Sequence, residues 1–130
     1  MQDKVTFEYA IIRLVPKVER EEFFNIGVIL FSKRKKFLDV KFHVNPKKLN
    51  AFSCELDLDA INAYLKSWEL ISKGEASAGV IGQFELSDRF RWLAASRSTI
   101  IQSSKTHSGL TENPEKEINL IFEKHVLDAS

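Results

Sequence analysis

The chain has 130 residues, 44% of them hydrophobic and 28% charged, with ten Phe and two Trp. That composition excludes a disordered chain and is too short for two domains, so a single domain over 1–130 is expected. A lone cysteine, Cys54, excludes an internal disulfide and fits a reducing, cytoplasmic setting. No apolar run approaches membrane-spanning length, and the polar stretch from Met1 to Val5 has no targeting character, so no membrane association is expected.

A net charge of +1 conceals two basic poles. Residues 33–48 hold seven Lys or Arg against one Asp, and residues 89–107 hold Arg89, Arg91, Arg97 and Lys105 with no acid. Either pole is suited to meeting an anion. The acids gather in 49–88 and 108–130, which read as solvated helices.

In chain order, Val5, Phe7, Tyr9 and Ile11 alternate with Thr6, Glu8, Ala10 and Ile12, a period of two that predicts a strand over 5–15, ended by Pro16. The run from Asn25 to Phe31 is apolar on both faces, as in a central strand covered on both sides. Lys33-Arg34-Lys35-Lys36 then forms a basic hairpin tip leading to a third strand, in which Leu38, Val40, Phe42 and Val44 share a face. Asn45 with Pro46 predicts a short helix over 46–52. Leu58, Ile61, Leu65 and Trp68 predict a longer helix over 58–73, capped by Asp57 and closed at Gly74. Residues 74–83 read as a loop, and Ser87 is placed as the cap of a helix over 88–95. A short buried strand follows at Thr99-Ile100-Ile101, and Asn113-Pro114 opens a last helix to Leu127 that buries Ile118, Ile121 and Phe122. The sum is an α+β fold: an antiparallel three-stranded meander, plus a short later strand, packed against three to four helices.

Two constellations carry chemistry. From Arg89 to Gly109 the chain concentrates guanidinium, hydroxyl and amide groups. Arg97, Ser98, Thr99 and Gln102 are donors suited to phosphate or carboxylate, and His107 adds an imidazole that can exchange a proton near neutral pH. The competing reading is a polar loop that satisfies its own backbone. The second constellation is Arg13, Arg20, Glu21 and Asn25. Arg13 interrupts a core-like strand, so it must be paired or lie at a site. A structural ion network is the bland reading. The sharper one makes Glu21 a base facing His107, with Glu19–Glu22 neutralising the arginines of the later run. The tip Lys33–Lys36, extended by Lys47 and Lys48, suits nucleic-acid phosphates, although lysine tips also keep hairpins soluble. No metal site is expected from His43, His107, His125 and Cys54, which lack ligand spacing. The glycines at 74, 79 and 82 make no phosphate loop, and no cofactor is expected.

Tyr9-Ala10-Ile11-Ile12-Arg13-Leu14-Val15-Pro16, Arg20-Glu21-Glu22-Phe23 with Asn25-Ile26-Gly27-Val28-Ile29-Leu30-Phe31, and Arg89-Phe90-Arg91-Trp92-Leu93 with Arg97-Ser98-Thr99 through Gln102 to His107-Ser108-Gly109 together resemble the bacterial domain of unknown function 3037 family. The resemblance spans Phe7 to Val126 and brings no established activity. It implies a small bacterial protein with its functional residues among those quoted. It also implies, through gene neighbours that look like HipA-type kinases, a protein partner.

Three functions follow in order. The first is a binding or interaction module for a phosphate-bearing ligand or partner protein, through Arg13, Arg20, Asn25, Arg97, Ser98, Thr99 and Gln102. The second is a hydrolase or transferase using His107 with Glu21 as acid and base. The third, nucleic-acid binding by the basic hairpin, ranks last.

Overall fold

A computed structural model describes residues 4–17, 22–52, 58–95 and 101–127. Its fold is the expected α+β arrangement: an antiparallel sheet of five strands, β1 (Val5–Lys17), β2 (Glu22–Ser32), β3 (Phe37–Phe42), β4 (Ile101–Ser103) and β5 (His107–Thr111), in the order β3-β2-β1-β4, with β5 also paired to β1. Among the described residues four α-helices accompany it: α1 (Pro46–Phe52), α2 (Leu58–Lys73), α3 (Leu86–Ala94) and α4 (Pro114–Phe122), the last prolonged by a π-helical turn over Glu123–Leu127.

The alternation in β1 sorts its side chains onto two covered faces, because successive residues of a strand point to opposite sides. Ala10, Ile12 and Leu14 join Ile29, Phe31, Ile61, Leu65, Trp68, Phe90 and Leu93 under α2 and α3. Phe7 and Ile11 join Val28, Leu30, Ile118 and Ile121 under α4. The core is therefore two clusters separated by the sheet, and β2 is apolar throughout because it feeds both.

Pro16 does not end β1. The strand continues to Lys17, and the register shifts between Leu14↔Phe24 and Lys17↔Glu22. Two residues of β1, Val15 and Pro16, there oppose one of β2, and a bulge is where a strand tolerates proline. A second shift between Ile12↔Gly27 and Arg13↔Asn25 leaves Ile26 as the extra residue of β2. That bulge turns Ile26 into the α2 side and Asn25 toward the α4 side.

The segment read as a polar loop after Gln102 is strand. β4 and β5 follow one another along the same side of β1, Ile101 to Ser103 against Leu14 to Ile12 and His107 to Thr111 against Tyr9 to Val5. The ladder is carried through the break by Ser104, whose N–H donates to the Ile11 carbonyl (2.8 Å) and whose Oγ accepts from the Ile11 N–H (2.8 Å).

Helix ends follow local chemistry in most places. Asn45 Oδ1 accepts from the Lys47 N–H at 2.9 Å. After α2 the Glu75 N–H reaches the Leu70 carbonyl and the Gly74 N–H the Ile71 carbonyl, with Gly74 at φ 68°, a closure that needs the left-handed conformation glycine tolerates. Ser87 is not a cap: α3 starts at Leu86, with Glu85 at the capping position and no side-chain hydrogen bond there. Asp57 lies outside the described residues. Asn113 Oδ1 accepts from the Lys116 N–H at 3.2 Å ahead of Pro114. Replacing Asn113 with alanine is therefore expected to cost about 1 kcal/mol, read as a lower urea midpoint with an unchanged slope.

Candidate functional site

Arg13, Asn25 and Gln102, singled out separately from the sequence, stand abreast on three neighbouring strands. Arg13 of β1 is directly opposite Asn25 of β2 on one side and Gln102 of β4 on the other, and directly opposed residues share a face of the sheet. Their face is the α4 side, beyond the end of the Phe7–Ile121 cluster. The bulge at Ile26 is what brings Asn25 into the row.

The Arg13 guanidinium lies over the Phe23 ring, 4.4 Å from its centroid. Its Nε is buried and has no hydrogen-bond acceptor among the described residues. A buried donor left unpaired costs about 1 to 3 kcal/mol, so the position is expensive unless something completes it. Asn25 Nδ2 donates to the His125 carbonyl at 2.9 Å, which ties the row to the turn after α4. One amide hydrogen of Asn25 is thereby used and one remains. Phe23, 46% exposed, was not picked out from the sequence as a site residue. The only signal was an aromatic beside the charged hairpin link.

The other candidates divide by position. Arg20 and Glu21 fall in the link 18–21 and Arg97, Ser98 and Thr99 in the link 96–100, both outside the described residues. The chain enters and leaves the first link at Lys17 and Glu22 and leaves the second at Ile101, opposite Leu14. All three anchor points lie at the Arg13 end of β1.

His107 lies elsewhere. It is exposed, opposite Tyr9, and its ring stacks on the Tyr9 ring with centroids 5.2 Å apart. Four residues of strand separate Tyr9 from Arg13, about 13 Å at 3.3 Å each. Residues 101–111 run on along β1, which keeps His107 at the Tyr9 position and apart from Arg13.

The arginines of α3 are partly engaged: Arg89 Nε, like Arg13 Nε, is buried without an acceptor among the described residues, but it lies away from the Arg13 row, on α3. Arg91 makes a two-pronged ion pair with Glu8, Nη1 to Oε1 at 2.9 Å and Nη2 to Oε2 at 2.8 Å. Its neutralising acid is thus Glu8 of β1 and not a residue of the Glu19–Glu22 stretch. Arg89 Nη1 donates to the Phe84 carbonyl at 2.9 Å and closes the turn ahead of α3. Between α3 and β4 lies a pocket of about 380 Å³ lined by Arg91, Ser103, Ser104 and Lys105. Ser103 Oγ donates to the Ser104 carbonyl, and Ser104 Oγ donates to the Lys105 carbonyl. The Arg91 fork and the two serine hydroxyls of this pocket are therefore committed, and Lys105 and Thr106 also line it.

Lys33–Lys36 form an exposed turn in which Lys36 has φ 51°. The tip and Lys47-Lys48 stand at opposite ends of β3. Lys48 Nζ instead sits 5.6 Å over the Phe24 ring. Among the described residues no helix is long and apolar enough to cross a membrane, and no group of three or more His, Cys, Asp or Glu is placed to hold a metal.

The model of the protein family of unknown function DUF3037 matches residues 9–126, taking in the Arg13 row, both links and the Tyr9–His107 stack. The chain belongs to the DUF3037 family. No curated protein and no solved structure matches it. The DUF3037 match begins at Tyr9 and ends at Val126, one residue past the His125 carbonyl that holds Asn25.

Proposed function

We propose that this DUF3037 protein is a binding module whose site, at the Arg13 end of the sheet, takes a phosphate-bearing group on a small molecule or on a partner protein. The observation that carries this reading is the Arg13 Nε: buried, without an acceptor among the described residues, on a guanidinium held flat against Phe23. A planar fork so positioned matches two oxygens of one phosphate. Asn25 and Gln102, on either side, contribute neutral amide donors. We assign Arg20, Arg97, Ser98 and Thr99, which lie outside the described residues, as further donors on the chemistry of their side chains alone. Acid and base chemistry is left out, since His107 packs on Tyr9 far along β1. We place the protein in the bacterial cytoplasm, a reducing compartment that its lone cysteine fits.

Thermal denaturation with a panel of inorganic phosphate, mononucleotides and phosphorylated peptides tests the reading. At least one phosphate-bearing compound is expected to raise the melting temperature, by the equivalent of about 2.7 kcal/mol at a hundredfold excess over its Kd. Chloride at equal ionic strength should do nothing. Arg13→Met should abolish the effect and Arg13→Lys should weaken it. Without ligand, Arg13→Met should be the more stable protein by about 1 kcal/mol, since the unpaired donor outweighs the lost contact with Phe23. A panel that stabilises nothing, or stabilises Arg13→Met as well as the parent, would refute the site.

A further inference from the structure

The sheet has two edges, and they are built differently. β3 carries Asp39 and Lys41 and is bounded by the tip Lys33–Lys36, charges of the kind that keep an edge from pairing with another chain. The β5 edge has no such protection: Thr106-His107-Ser108-Gly109-Leu110-Thr111 contains no Lys, Arg, Asp, Glu or Pro. The backbone direction on this edge follows from Ser104. Ile11 turns its N–H and carbonyl toward β4 and β5, and so do the other odd-numbered residues of β1, because antiparallel ladders alternate. His107, Gly109 and Thr111 therefore spend their backbone groups on Tyr9, Phe7 and Val5, while Ser108 and Leu110 direct theirs away from the sheet. Leu110 is 63% exposed, and a groove of about 340 Å³ beside it is lined also by Leu120, 51% exposed.

We infer that this edge pairs with the β5 edge of a second copy of the chain, antiparallel, about a two-fold axis at Gly109. In that register all five residues of β5 are opposed, His107 to Thr111, Ser108 to Leu110 and Gly109 to its own copy. Ser108 and Leu110 then exchange about four backbone hydrogen bonds across the axis. Leu110 is covered by the partner strand, and the two sheets become continuous. Charge favours a second copy over a charged partner: the groove is rimmed by Lys4 and Lys116 with Glu112 and Glu117, equal numbers of each sign, so a copy related by a two-fold meets no net like charge. The Arg13 row faces away from this contact, at the other end of β1.

Sedimentation equilibrium of the full chain tests the inference. The parent is expected to pass from monomer to dimer as concentration rises. Leu110→Lys, a change at an exposed side chain, should leave it monomeric, with the thermal melt that the parent shows at concentrations where it too is monomeric. Ser108→Pro should do the same, because it removes an N–H that the monomer's own sheet does not use. Val80→Lys, at another exposed apolar residue (76% exposed), should dimerise like the parent. A parent that stays monomeric to the limit of solubility, or a Leu110→Lys variant that dimerises as well as the parent, would overturn it.

Discussion

Replacing Phe90 with alanine is expected to cost about 3 to 5 kcal/mol, a large part of the 5 to 15 kcal/mol by which a domain of this size is stable. Phe90 is fully buried, and its ring lies 5.1 Å from that of Phe31, nearly parallel. The pair fastens α3 to β2, and the space left by truncation borders the sheet, which cannot collapse to fill it. The melting temperature should fall by roughly 10 to 20 °C. Truncation of Phe23, half-exposed on the opposite side, should cost less than about 1 kcal/mol. A Phe90→Ala variant that loses no more than the Phe23 variant would show that α3 is not docked as described.

Gly27→Ala should be nearly as damaging, by overcrowding. A β-carbon on Gly27 would come within 2.6 Å of both the Lys41 carbonyl oxygen and the Phe42 ring. The oxygen belongs to the backbone of the neighbouring strand, so the clash cannot be relieved by turning a side chain. Phe42 is held in turn by an edge-on contact with Trp68. The expected cost is about 2 to 3 kcal/mol, seen as a shifted urea midpoint. Gly27 is also the residue after the bulge at Ile26, so moving it should displace Asn25 and weaken ligand binding more than the stability loss alone accounts for.

The elements that were legible in the sequence are those whose side chains carry a period. β1, β2, β3 and α2 bury the residues that the alternation or the helical spacing singled out, and Asn45, Gly74 and Asn113 cap as their chemistry requires. β5 was not legible, because Ser108, Gly109 and Leu110 have no strand-like pattern and are held by the backbone of β1. The Arg91–Glu8 pair joins residues 83 positions apart, a separation over which no local pattern operates. At the candidate site, Arg13 announced itself as a charge in an apolar strand. Its alignment with Asn25 depends on a one-residue bulge, which no local pattern marks.

The most direct measurement follows the Arg13 Nε–H itself in a proton–nitrogen correlation spectrum during titration with inorganic phosphate and, separately, with phosphoserine. The Arg13 side-chain resonance should move downfield and become protected from solvent exchange with at least one of the two, as an unpaired donor gains an anionic acceptor. The resonance of Arg91, already paired with Glu8, should stay in place. An Arg13 resonance that does not respond to either anion, or moves no more than that of Arg91, would contradict the assignment of this row as the ligand site.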